Sequence, residues 1–358
     1  MGSNNKGSAV RLKGPGGSIS AVDFLVKYAL YIMIIILVVI VTVKFPPGSK
    51  ANFLAAAPVD LIKRVSYRIF LALGVGGIIV LTGTDLSAGR NMGLCACIAA
   101  ALLQRSDYAG KMFPELATQN MFLVLLLLMV VGGLIGLVNG FCVSKFSLHP
   151  FIVTLATQLM IYGTVLIFVN GGQNKGQPLS GLDGGYTSFI TGNSLFFGLR
   201  NPLGLPNYVW FAVLAVVIMW LIWNKTTLGK NMYAVGSNPE AAKVSGVNVS
   251  MTIILIFVMA GVLYGCSGFV EAARVGSNTA TTGLNAELDA IAACVIGGVS
   301  FTGGVGKISG IVAGVFLLEV ISVCLQWLSV SADMVNIIKG LIILVAVALD
   351  MRKYLAKK

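Results

Sequence analysis

The glycine-rich stretch GGVSFTGGVGKISG, residues 297–310, has the residue types that come nearest to a phosphate-binding loop. Such a loop needs the pattern G-x-x-x-x-G-K-[ST], because its amides and lysine hold the phosphates and the hydroxyl after the lysine holds magnesium. Gly306 and Lys307 match the end of the pattern, but Phe301 replaces its first glycine and Ile308 replaces its hydroxyl residue. The stretch therefore predicts close glycine packing and not nucleotide binding.

Other residues that could do chemistry are sparse. The chain has one histidine, His149, and six cysteines without a C-x-x-C pair, so the sequence offers no credible zinc site. An active site would need clustered His, Asp or Cys side chains, and the sequence does not supply such a cluster. We therefore assign no catalytic residue, no metal ligand and no cofactor to this chain.

Composition indicates a protein that puts most of its surface in lipid. Hydrophobic residues make up 57% of the 358 and charged residues 11%, and the mean hydropathy is +0.90. A soluble domain has about 45–50% apolar and about 25% charged residues. The formal charge of +12 is scattered beside hydrophobic segments, as the positive-inside rule expects, and this placement argues against a nucleic-acid partner.

Ten apolar stretches predict an all-α, polytopic membrane protein with one transmembrane domain over residues 24–358. The eighth is too short to cross alone, so we expect a broken or re-entrant element there. The stretches are 24–45, 65–84, 88–104, 121–143, 150–170, 207–224, 249–270, 288–300, 307–329 and 333–350.

The segments outside these stretches set the predicted topology. Residues 1–23 are polar, glycine-rich and basic, which predicts a flexible tail on the cytoplasmic side. The basic loop 225–243 and the basic C-terminus favour a cytoplasmic location for both termini. Residues 46–64 predict an interfacial helix outside. The 171–206 loop, also outside, is rich in Gly, Pro, Ser and Asn, which favour turns over a regular helix. It is either a cover or docking surface or a spacer.

The polar segment 225–248 predicts a short capped helix on the cytoplasmic side. Asn238 and Pro239 have the types of an N-cap and a first helical residue, and Glu240 then lies in the first turn, where the helix dipole favours it. Gly246 ends the helix. An ordinary capped connector remains the alternative.

The stretch TGTDLSAGR, residues 82–90, predicts a break at membrane depth. Gly83 and Gly89 permit a sharp reversal. A carboxylate there is costly unless it faces protein or water, so Asp85 is a candidate functional residue. It can also cap the next helix, which Ser87 helps to open, and the two roles are compatible.

Segments two to five and seven to ten start on opposite sides, which predicts an inverted repeat typical of transporters. The glycine-rich stretch 297–310 predicts a second break, at the cytoplasmic end of the eighth segment. Polar groups and glycines near the two breaks are candidates for a translocation path or gate; interhelical hydrogen bonds are the alternative role for the polar ones. The candidates are Asp85, Ser87, Gly89, Gln158, Gly297, Gly298, Gly303 and Gly304.

Several motifs together resemble the membrane permease of monosaccharide ABC importers. The carrying stretches are GSNPEAAKVSGVNV, GTDLSAGR, ELDAIAACVIGGVSFTGGVG and the C-terminal IIKGLIILVAVALDMRKYLAKK. In the stretches TGTDLSAGR, DAIAACV and GGVSFTGGVG, the sequence is more similar to galactose/methyl-galactoside permeases than to ribose permeases. The likeness extends from about residue 24 to the end.

This resemblance implies a homodimer in the bacterial inner membrane that imports galactose, glucose or methyl galactoside. A separate cytoplasmic ATPase with two nucleotide cassettes would bind ATP and magnesium, and a periplasmic or lipid-tethered binding protein would deliver the sugar. The residues implied in coupling to the ATPase are Gly236, Asn238, Pro239, Glu240, Ala241, Ala242, Ser245 and Gly246.

Two alternative transporters stay open. A nucleoside or branched-chain amino-acid permease of the same superfamily would share the architecture. An ion-driven secondary transporter would need ionisable residues near the midplane, and Glu319 with Lys339 offers limited support for it.

Overall fold

The computed structural model describes residues 11–14, 17–46, 52–173, 175–193 and 204–355. Over these residues the chain forms a two-stranded hairpin and a series of helices. In chain order the elements are β1 Arg11–Gly14, β2 Gly17–Ser20, α1 Ala21–Lys44, α2 Phe53–Val80, α3 Ala88–Leu102, α4 Met121–Lys145, α5 Pro150–Asn170, α6 Gly184–Thr191, α7 Asn207–Lys225, α8 Thr227–Ser237, α9 Pro239–Val244, α10 Val249–Val275, α11 Ala286–Ile296, α12 Ile308–Trp327 and α13 Ala332–Leu355.

Each of the ten predicted segments contains a helix, and α5 has the predicted bounds. Within the described ranges, five helices are long and apolar enough to cross a membrane, namely α4, α5, α7, α10 and α12. The prediction of a helical, polytopic membrane protein is therefore confirmed at this level.

The chain divides into two compact units, and the smaller one comprises Met1–Ala57 and Val320–Lys358. Its strands β1 and β2 pair antiparallel, with Arg11 opposite Ser20, although the sequence predicts a flexible tail over residues 1–23. Residues 1–10 of that tail lie outside the described residues. In the same unit the rings of Phe45 and Phe53 meet the Trp327 ring edge to face, with centroids 5.2 and 5.4 Å apart.

The larger unit, Pro58–Glu319, contains both predicted breaks. Its helices α4 and α10 pack through glycines on both helices. A Cβ atom at Gly132 would overlap the Gly261 carbonyl oxygen, and one at Gly265 would overlap the Leu128 carbonyl oxygen. Small residues allow this close approach in lipid, where packing replaces the hydrophobic effect as the driving force.

Two sequence predictions about connections are wrong. Residues 53–64 are the first part of the continuous helix α2 and not a separate interfacial helix, and an Asp60–Arg64 ion pair of 2.7 Å spans one of its turns. The predicted irregular loop 171–206 contains α6, because the Asp183 carboxylate caps this helix by accepting the Tyr186 N–H at 3.0 Å. Residues 194–203 of that loop lie outside the described residues.

Three connections are tied together beyond the C-terminal end of α3. The Gln104 side chain donates to the Ser180 carbonyl oxygen and accepts the Met112 N–H, both at 2.8 Å. Leu179 and Asn278 exchange backbone hydrogen bonds of 2.7 and 2.9 Å. The chain segment that leaves α10 is therefore fixed at this end of α3.

From Asn278 the chain runs back along α3 without forming a regular helix. The Cys97 thiol donates to the Thr279 carbonyl oxygen at 3.4 Å. Further on, the Gly89 and Gly283 backbones touch, since a Cβ on either would overlap the carbonyl oxygen of the other. Only then does α11 begin, and its 11 residues span about 16 Å, roughly half of a bilayer core. Residues 278–285 therefore form an irregular stretch along α3.

Candidate functional site

Helix α9 has the capping predicted from the sequence. The Asn238 side chain accepts the Ala241 N–H at 3.0 Å, and Pro239 is the first helical residue. At the other end Gly246 has a φ of +84°, which glycine adopts without steric cost. The Val247 N–H bonds back to the Ala242 carbonyl oxygen at 3.0 Å. The helix therefore holds its shape through local hydrogen bonds.

Most of α9 is exposed, and only Ala242 is buried against the rest of the chain. Val244 is 89% exposed, beside the exposed charges of Glu240 and Lys243. A rigid, exposed helix with an apolar side chain at its end is suited to a groove on another protein.

Gly236, at the end of α8, touches two other segments of the chain. A Cβ at Gly236 would overlap the carbonyl oxygen of Val80, the last residue of α2, and a Cβ at Gly303 would overlap the Gly236 carbonyl oxygen. The Gly304 N–H also donates to the Val80 carbonyl oxygen at 2.8 Å. We call this contact of Val80, Gly236, Gly303 and Gly304 the glycine junction. It joins a predicted coupling residue to two predicted gate residues.

Tyr233, which the sequence analysis missed, lies one turn before Gly236 on α8. Its hydroxyl donates to the Gly306 carbonyl oxygen at 2.9 Å. Burial raises the pKa of Tyr233, so the hydroxyl keeps its proton at neutral pH and remains a donor. The sequence alone gives little indication of this hydrogen bond, because the partner carbonyl is 73 residues away.

The first break is organised around Asp85, which is 2% exposed. Its Oδ1 atom accepts the Ser87 N–H at 2.9 Å and the Ser87 hydroxyl at 2.6 Å. Its Oδ2 atom accepts the Tyr264 hydroxyl at 3.1 Å. Asp85 therefore stabilises the turn that opens α3 and ties it to α10.

The network continues from Ser87 into α4 and α5. The Asn139 amide donates to the Ser87 hydroxyl at 3.0 Å, and the Thr157 hydroxyl donates to the Asn139 amide oxygen at 2.6 Å. Gln158 follows Thr157 on α5 but is half-buried on another face. The structure thus brings Asp85 and Ser87 together and leaves Gln158 outside their hydrogen-bond network.

Gly89 lies where the two short helices α3 and α11 begin. A Cβ there would overlap the Glu287 carboxylate as well as the Gly283 backbone. Glu287 is 2% exposed, and sequence reasoning missed it because only the fold places it beside the first break. The first break and the start of α11 are therefore in direct contact.

Gly297 and Gly298 end α11 in different ways. A Cβ at Gly297 would overlap the carbonyl oxygen of Gly310, in the first turn of α12. Gly298 has a φ of +83° and open space around its Cβ position. In the glycine-rich stretch 297–310, Gly297 therefore serves a helix contact and Gly298 a tight turn.

An ion cluster ties α11 and α12 to α2. The Arg68 guanidinium contacts the Asp289 carboxylate, and its Nε atom lies 2.7 Å from the Glu319 carboxylate. Glu319 is 0% exposed, so it needs this cation as a partner. The predicted midplane carboxylate therefore has a structural role in this cluster.

The matches to known proteins extend over most of the chain. A family model described as "Branched-chain amino acid transport system / permease component" matches residues 57–347. The chain is 43% identical over 340 residues to the galactose/methyl galactoside import permease protein MglC of Escherichia coli (strain K12), covering 95% of this chain and 98% of that protein. No solved structure matches the chain.

Two further relatives show the range of the likeness. The MglC protein of Haemophilus influenzae is 40% identical over 337 residues, covering 94% of this chain and 97% of the relative. The ribose import permease protein RbsC of Escherichia coli (strain K12) is 31% identical over 324 residues, covering 90% and 92%. Identity is therefore higher to these two MglC proteins than to this ribose permease.

Proposed function

We propose, from the premise that this chain belongs to the branched-chain amino acid transport system / permease component family, that it imports a monosaccharide of the galactose, glucose or methyl galactoside class. The chain is a membrane transport subunit of an ABC importer and not an enzyme. The observation that supports the sugar class is the 43% identity over nearly the full length of a galactose/methyl galactoside permease.

Movement would be driven by ATP and magnesium bound to a separate double-cassette ATPase. Helix α9 supports this docking site, because it is capped, exposed and ends in the exposed Val244. A nucleotide-driven change in the ATPase can shift this chain only by binding one of its conformations better. The residues proposed to couple the two subunits are Gly236, Asn238, Pro239, Glu240, Ala241, Ala242, Ser245 and Gly246.

The glycine junction supports a route from α9 toward the membrane interior. Backbones meet there without intervening side chains, so a displacement of α8 is transmitted to α2 and to the 297–307 loop. The path or gate would include Asp85, Ser87 and Gly89 at the first break and Gly297, Gly298, Gly303 and Gly304 at the second.

The wider arrangement is also a proposal. We expect ten membrane segments in an inverted repeat, supported by the short helices α3 and α11, which begin side by side and belong to opposite halves. The working unit would be a homodimer in the bacterial inner membrane, with both termini cytoplasmic. A periplasmic or lipid-tethered sugar-binding protein would dock on the outer side.

The family description names branched-chain amino acids, so the test must separate cargo classes. The complex would be reconstituted with its ATPase and binding protein, and ATP hydrolysis and uptake measured with galactose, ribose, a nucleoside and leucine. We expect stimulation and uptake with galactose. Stimulation by leucine or the nucleoside alone would overturn the sugar assignment.

Docking at α9 has its own test. Val244→Glu places a charge where the structure exposes an apolar side chain, and we expect it to weaken ATPase binding severalfold in a pull-down with purified subunits. Ser250→Glu, on the half-buried first turn of α10, serves as a control of the same added charge. Equal binding by both variants and the unmodified chain would exclude α9 as the contact.

A further inference from the structure

The 278–285 stretch reaches the middle depth of the larger unit. The Asn91 amide, in the first turn of α3, donates to the Gly132 carbonyl oxygen at 3.3 Å, and Gly132 lies near the middle of the 25-residue helix α4. Gly283 touches Gly89, two residues before Asn91. Since α4 is long and apolar enough to span, Gly283 lies close to half of the membrane thickness.

Non-helical backbone at this depth is tolerated only where protein covers it or where it lines a water-filled cavity. One side of the 278–285 stretch packs on α3, through Thr279 and Gly283. Its other side is open in this chain, with Thr281, Leu284 and Asn285 exposed. Two of these three exposed side chains are polar, which is unsuited to contact with lipid tails.

Asn285 differs from the other asparagine caps described. Asn120, Asn238 and Asn248 each accept a backbone N–H of their own helix through the side chain, whereas Asn285 makes no such bond at the start of α11. Its exposed amide therefore keeps both donor and acceptor capacity on the open side of the stretch.

Behind this surface Glu287 has an oxygen atom, Oε2, without a hydrogen-bond partner among the described residues. Its neighbour Arg90 donates to the Ala280 carbonyl oxygen at 3.0 Å and lies over the Tyr162 ring at 4.3 Å. An unsatisfied carboxylate oxygen in a low-dielectric region is costly. The Oε2 atom lies against Gly89 at the start of α3, behind the exposed side chains of the stretch.

We propose that residues 281–285 line an aqueous path through which a polyhydroxylated sugar crosses the membrane, with Thr281 and Asn285 facing that path. The inference rests on the proposed function and extends it, because these residues lie outside the gate positions predicted from the sequence.

The test uses the full complex in membrane vesicles and a charged, membrane-impermeant methanethiosulfonate reagent. We expect Thr281→Cys and Asn285→Cys to be labelled, and the labelling rate to change severalfold when ATP and the sugar-loaded binding protein are added. The unmodified chain measures labelling of the native cysteines, of which Cys142 and Cys266 are half-buried.

Thr164→Cys is the matched control. Thr164 is an exposed hydroxyl residue on α5, it bonds to the Met160 carbonyl oxygen within its own helix at 2.9 Å, and its neighbour Ile167 is 78% exposed. We expect this lipid-facing position to react slowly. Labelling of Thr281→Cys and Asn285→Cys no faster than Thr164→Cys, in a complex that transports sugar, would overturn the inference.

Sugar uptake by the unmodified complex separates the two proposals. Labelling at both positions without uptake of any sugar would contradict the proposed function. The same result would still show that Thr281 and Asn285 face water. As a second measurement, Asn285→Trp should block uptake while ATPase binding persists, because the bulky ring would narrow the path. Uptake at the unmodified rate by Asn285→Trp counts against the path.

Discussion

Helix α9 with its flanking caps, residues 238–247, and the region 276–296 differ in how their structure is stabilised. In the first, the Asn238 cap bonds to a residue three positions away. In the second, Ala280 accepts a hydrogen bond from Arg90 across 190 residues. The first is held by local hydrogen bonds, whereas the second is held by contacts between distant parts of the chain.

This difference has a functional reading. On the proposed function, α9 docks the ATPase with most of its surface exposed, and its local caps would keep its shape there. The proposed path lies beside the second region, whose distant contacts would let it respond when its neighbours move. Four substitutions test this contrast.

Replacing Arg68 with alanine should cause the largest loss, in the region held by distant contacts. It leaves the buried Glu319 carboxylate without its cation, and breaking a buried ion pair from one side costs about 3–5 kcal/mol. Thermal or denaturant unfolding of the purified protein in detergent measures the change.

The matched control is Arg64→Ala, one turn earlier on α2. Arg64 pairs with Asp60 at 2.7 Å, but the Asp60 side chain is 45% exposed. An exposed pair contributes about 0–1 kcal/mol. Equal losses in the two variants would show that Glu319 does not depend on Arg68.

The same contrast explains what could be predicted from the sequence. The cap at Asn238, the end at Gly246 and the helical segments follow from residue types within a few positions of each other, and the structure confirms them. Tyr233 and Glu287 were missed because their partners lie far along the chain. Asp85 was recognised by its cost in lipid, but the distant partner Tyr264 was not.

Replacing Gly236 with alanine tests the junction between the two kinds of region. The added Cβ overlaps the Val80 carbonyl oxygen, and overpacking of this kind costs about 1–3 kcal/mol. We expect a lower unfolding temperature and reduced sugar uptake. Gly163→Ala is the control, because its Cβ position on α5 has no atom within 4 Å. A similar loss at Gly163 would contradict the crowding argument.

Replacing Asn238 with alanine tests whether α9 depends on its local cap. Loss of an N-cap costs about 1 kcal/mol, and here it should appear as severalfold weaker binding of the ATPase subunit, measured by titration. Asn248→Ala removes an equivalent cap from α10, where the Asn248 side chain accepts the Met251 N–H at 3.0 Å. Weakened ATPase binding in Asn248→Ala but not in Asn238→Ala would reverse the assignment.

Replacing Tyr233 with phenylalanine should have a small effect on stability, about 0.5–1.5 kcal/mol, and it addresses the link between α8 and the 297–307 loop. The variant removes the bond to the Gly306 carbonyl oxygen and leaves α9 unchanged. We expect normal ATPase binding, continued ATP hydrolysis and fewer sugar molecules transported per ATP. The reason is that a displacement of α8 would be transmitted less completely to the 297–307 loop.

Tyr108→Phe is the control for that experiment. Tyr108 is also half-buried, and its hydroxyl is hydrogen-bonded to the Ser180 hydroxyl at 2.8 Å, beyond the C-terminal end of α3. The variant loses this bond. It should keep the ratio of sugar to ATP. An unchanged ratio in Tyr233→Phe, or an equal fall in both variants, would show that the bond only stabilises the fold. A fall confined to Tyr233→Phe would identify α8 as the element by which a locally stabilised docking helix acts on the distant contacts of the membrane region.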